Sequence, residues 1–144
     1  MGRRISYTAQ SAGLYLISAT NVAGAGSCTF RAVDTMLFNP RWDTVSGNDV
    51  QWGLLNVSDM AVTGTLALLD ANGQVIVAVQ VSIPPGRRIA PYIGNSDLNV
   101  ARNVVGSVMF SHNGPPNSIL GDAFLLSSPG VPHVAVKFAP VAPR

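Results

Sequence analysis

With 144 residues, 47% of them hydrophobic and 11% charged, the chain has the size and apolar content of one folded domain and not those of a disordered polymer. A net charge of +2, carried by scattered arginines and the single lysine Lys137, excludes the basic footprint of a nucleic-acid binder. All seven acidic residues are aspartates, and a chain without glutamate fits a fold with little or no helix.

In chain order, residues 1–12 read as a flexible basic arm without periodicity. Leu14 to Ser18 reads as a short strand and Thr20 to Ser27 as a Gly/Ala-rich loop. Cys28 to Phe38 reads as one or two strands stopped by Asn39-Pro40, with Cys28 expected to be a buried small hydrophobe. Arg41 to Asp49 is polar and turn-rich, and Val50 to Val57 reads as a strand that ends at the Ser58-Asp59 turn.

The clearest element follows. Val75, Val77, Val79, Val81 and Ile83 recur with period two, which sets a β-branched wall on one face of a strand. Val62 to Leu69 supplies its partner, Asp70-Ala71-Asn72-Gly73 the turn, and Pro84-Pro85-Gly86 the exit. Beyond it, Arg88 to Ile93 reads as a short edge strand and Asn95 to Asn103 as a loop or one helical turn. Val104 to Ser111 and Ile119 to Ser127 read as strands, with turns at His112–Pro116 and Ser128–Gly130. Val134, Val136 and Phe138 close the sheet by alternation, and a proline-rich tail occupies 140–144. Eight to ten strands with turn signals between them predict an all-β antiparallel sandwich, a single domain over 13–139.

The segment from Trp52 to Gly86 carries one pattern: Trp52-Gly53-Leu54, Asn56, Ser58, Ala61 to Leu66, Leu68, Asp70, Gly73 and the exit Ile83-Pro84-Pro85-Gly86. It resembles immunoglobulin-like β-sandwich domains of bacterial secreted and cell-surface proteins. The resemblance implies an immunoglobulin-like or jelly-roll-like sandwich, a spacer, adhesive or accessory binding role, and an extracellular or cell-surface location. It carries over no catalytic residue. The opening Met-Gly-Arg-Arg-Ile-Ser-Tyr departs from that family's secretion pattern, because it lacks the apolar core of a signal peptide.

No serine sits in a nucleophile elbow, and His112, His133 and Cys28 lack zinc-ligand spacing, so neither an enzyme nor a cofactor is expected. The turn at Asp70–Gly73 echoes the start of a calcium loop without its later ligands. Asn95, Asp97 and Asn99 form the one alternating oxygen-bearing set that a cation would suit. Trp42 stands in the polar run FNPRWDTVSG, and an exposed indole there, flanked by Asp43, Asn48 and Asp49, suits a sugar ring and its hydroxyls. The competing expectation is an indole plugging one end of the sandwich. Low charge and few guarded edges point to self-association or contact with other surface proteins, with polysaccharide as the alternative partner. Neither nucleic acid nor membrane insertion is expected, since no run reaches the ~18 apolar residues of a membrane span. The expected function is a non-catalytic structural or adhesive module, and the alternative is a carbohydrate-binding module.

Overall fold

The computed structural model describes residues 35–90, 98–127 and 131–140. The strands expected from Leu14 to Ser18 and across Cys28, the basic arm at 1–12, and residues 141–144 of the tail lie outside that range. Within it, nine strands form two antiparallel sheets: β1 (Leu37–Asp43), β2 (Asp49–Asn56), β3 (Val62–Asp70), β4 (Val75–Ile83), β5 (Arg88–Ile89), β6 (Val105–His112), β7 (Ile119–Ser127), β8 (Val131–Lys137) and β9 (Ala139–Pro140). One sheet has the order β4-β3-β6-β1-β9 and the other β5-β2-β7-β8. The only helical element among the described residues is a 3₁₀ turn at Val45–Gly47. The fold class is therefore the expected all-β sandwich.

The core lies between the sheets. Trp42, Val50, Trp52, Leu54, Val62, Leu66, Leu68, Ile83, Val108 and Phe110 have no exposed surface. Burying each such aliphatic or aromatic side chain contributes about 1.5–3 kcal/mol, so this layer dominates the stabilisation. Alternation along β3 buries Val62, Leu66 and Leu68 while Thr63 faces solvent.

The hairpin of β3 and β4 forms where the sequence places it. Asp70 accepts the Gly73 N–H at 3.0 Å, and Gly73 alone in the turn takes a positive φ, 79°, that a side chain would strain. The hairpin is not central, however. β4 is the outermost strand of its sheet, so Val77, Val79 and Val81 face the core but are only half-buried. At the exit, the Arg87 N–H reaches the Pro84 carbonyl at 3.2 Å around Gly86 at φ 64°, a turn with proline and glycine in their favoured places.

β1 departs from the expected stop at Asn39-Pro40. Asn39 pairs with Val108 and Trp42 with Gly106, so β1 carries one residue more than its partner across this stretch. The bulge accommodates Pro40, which has no N–H to give a ladder, and the strand continues to Asp43. The Asn39 side chain supports the bulge: it accepts the Arg41 N–H at 3.2 Å and donates to the Val136 carbonyl of the other sheet at 3.2 Å. Pro140, the first residue of the expected tail, joins Ala139 in pairing with β1 at Leu37–Phe38.

Candidate functional site

The bulge decides what Trp42 can do. It turns the indole inward, where Trp42 is wholly buried and its Nε1–H donates to the Leu69 carbonyl at 3.0 Å. Gly106 lies beneath that contact, and a β-carbon there would collide with the Leu69 carbonyl and come within 2.7 Å of Trp42 Nε1. The expectation of an exposed indole is thus corrected: polar neighbours in sequence flank a residue whose own side chain joins the core.

The other three residues of the sugar expectation close the same end of the sandwich. Asp43, 5% exposed, accepts the Arg41 guanidinium at 2.9 Å and the Val45 N–H at 2.8 Å. Burial alone would raise its pKa, but the hydrogen bonds from Arg41, Val45 and Asn48 and the Arg41 charge hold it below the ordinary carboxylate value. Asp49 receives the Val50 N–H at 3.0 Å and Arg102 at 3.2 Å, and the Asn48 carbonyl also receives Arg102, at 3.4 Å. Between them Thr44 locks the loop to β6, donating its N–H to the Val104 carbonyl at 2.9 Å and accepting the Val104 N–H at 3.1 Å. These groups face one another and the backbone, so Asp43, Asn48 and Asp49 act as an end cap.

Of the cation expectation, Asn95 and Asp97 lie outside the described residues. Asn99 is exposed with φ 43°. Among the described residues no three His, Cys, Asp or Glu side chains gather as a metal cluster. Asp70 is spent on its turn, accepting the Asn72 and Gln74 N–H groups at 2.8 and 2.9 Å. The Gln74 bond, outweighing desolvation, leads the backbone donors that lower its pKa.

At the opposite end, Asn56 is wholly buried and makes the densest set of side-chain bonds among the described residues. Its Nδ2 donates to the carbonyls of Met60 at 2.8 Å and Ile83 at 2.9 Å, while its Oδ1 accepts the Ser58 N–H at 2.9 Å and hydroxyl at 2.7 Å. The pattern from Trp52 to Gly86 meets here, since Asn56 and Ser58 are tied to the start of the Ile83–Gly86 exit. Nearby His112, expected in a turn, is instead the last residue of β6 and 3% exposed. Its Nδ1 accepts the Gly114 N–H at 3.2 Å, its ring stacks on Phe110, and burial pushes its pKa below the ordinary 6.5. Ser118 Oγ and Trp52 Nε1 are buried without a hydrogen-bond partner among the described residues.

With the polar groups spent inside and at the ends, the surface of the five-stranded sheet has a distinctive character. Two rows cross its outer face, Gln80–Thr65–Ser111 and Ala78–Ala67–Met109–Phe38. Gln80 donates to the Thr65 hydroxyl at 2.7 Å, and neither row contains an ionisable side chain. In the other sheet, Arg88 and Asp122 pair at 2.9 Å over Gly53, which lacks the side chain that would block them. Sequence reasoning missed the roles of Asn56, Gly106 and the β4 edge; only Asn56 left a signal, its place in Asn-x-Ser ahead of a strand.

No protein-family model matches the chain, and no curated protein matches it. Among solved structures, the crystal structure of Thermotoga maritima 1070 is similar, with a TM-score of 0.61 at 14% identity, covering 75% of this chain and 95% of that one. At that identity the similarity concerns the fold.

Proposed function

We propose that the protein is a non-catalytic structural module of a surface, secreted or particle-associated assembly, acting by association with copies of itself or with neighbouring proteins. The observation that carries this reading is the pair of uncharged rows, Gln80–Thr65–Ser111 and Ala78–Ala67–Met109–Phe38, across the outer face of the five-stranded sheet, set beside polar side chains committed to internal bonds. Asp43, Asp49, Asp70 and Asn56 hold backbone and neighbouring side chains, which leaves them no free geometry for proton transfer or ligand capture. Rows of Ser, Thr, Ala, Gln, Met and Phe suit contact with another protein, because little charge must be desolvated on association. The test is the solution mass of the full chain by light scattering after size exclusion at two concentrations. An oligomer that grows in population with concentration agrees with the reading, and 15.0 kDa at both concentrations contradicts self-association.

A further inference from the structure

A sheet edge presents unpaired N–H and C=O groups, and a protein that remains alone guards its edges by shortness, proline, charge or bulges. Among the described residues, three of the four edge strands here are guarded. β9 has two residues, one of them Pro140. β5 has two residues, includes Arg88 and follows Pro84-Pro85. β8 contains Pro132 and Lys137. β4 differs from all three: nine residues, VIVAVQVSI, with neither charge nor proline. Its single irregularity lies near the turn, where Leu68 pairs with Val77 and Leu69 with Val75; from Val77 to Ile83 the register with β3 is regular.

We infer that β4 is a docking edge for β4 of a second copy, paired antiparallel across a two-fold axis at Gln80. The inference rests on the self-association reading above and names the strand that performs it. In this register Val79 opposes Val81 and Ala78 opposes Ser82, with Gln80 facing its own counterpart. Opposed residues of an antiparallel pair point to the same face, so half-buried Val79 and Val81 gain β-branched partners on the core side. On the outer side, amide meets amide and small meets small. Meeting its own copy, an uncharged edge leaves no charge to desolvate along the new pairing. The two five-stranded sheets would then run on as one.

The test uses Gln80, which is exposed, so that substitution leaves the core untouched. Gln80→Lys and Gln80→Glu each set like charges opposite across the axis, and each is expected to weaken the dimer at least tenfold. An equimolar mixture of the two sets opposite charges together and is expected to restore the doubled mass. If wild type associates and Gln80→Lys associates equally well, the edge is overturned while the self-association reading survives. A wild type that stays at 15.0 kDa overturns both. Slow exchange of the outward-facing Ala78–Ser82 amides in that monomer would assign the edge to another segment of its own chain.

Discussion

Asn56 Nδ2 lies 2.9 Å from the Ile83 carbonyl, so a side chain of one sheet holds the last residue of β4 in the other. Its removal leaves the buried Ile83 carbonyl short of this partner and strips the half-buried bonds to Met60, Pro84 and Ser58. Asn56→Ala is expected to cost about 2–4 kcal/mol in urea unfolding, at the upper end for a single buried polar side chain. A loss below about 0.5 kcal/mol would show that water replaces the side chain without penalty.

The indole of Trp42 reaches Leu69 only because Gly106 has no β-carbon. Gly106→Ala must displace the Leu69 backbone, whereas Gly53→Ala meets the movable ends of Arg88 and Asp122. The first is expected to lower stability by about 2–4 kcal/mol and the second by less than about 1 kcal/mol. Equal losses in chemical denaturation would contradict the account. Trp42→Ala, measured in the same way, is expected to cost about 3–5 kcal/mol, the cost of emptying a large core position.

His112 makes stability depend on pH in a definite direction. Its folded pKa lies below the ordinary 6.5 because burial disfavours the charged imidazolium, so the unfolded chain binds the proton more readily. The stability is fully present above pH 6.5 and declines as the pH falls from there toward the folded pKa. Asp43, with its carboxyl held below 3.8, adds a separate loss only in stronger acid. Thermal melts of wild type should fall as the pH drops below 6.5, and those of His112→Gln should stay nearly flat over the same range. Parallel curves would remove His112 as the cause.

β4 and β7 were legible to the residue and β3 to within one, because period two and turn chemistry act locally. β1 was not, because Asn39-Pro40 has the composition of a strand end and only the pairing with β6 reveals a bulge that absorbs the proline. Trp42 was misplaced for the same reason: its polar neighbours describe the surface around it, and the bulge decides where its ring points. The valines of β4 announced a buried face, yet no periodicity within a strand tells whether a further strand lies beside it. The structure supplied that, by setting β4 at the end of its sheet.

Association through β4 would shield its free edge, which amide hydrogen exchange of β4 at two protein concentrations reads out. Alternate amides from Ala78 to Ser82 point away from β3, and their exchange should slow at the higher concentration while the guarded edges at β5 and β9 stay unchanged. Exchange rates in β4 that are identical at both concentrations, below and above any observed assembly, would contradict the claim.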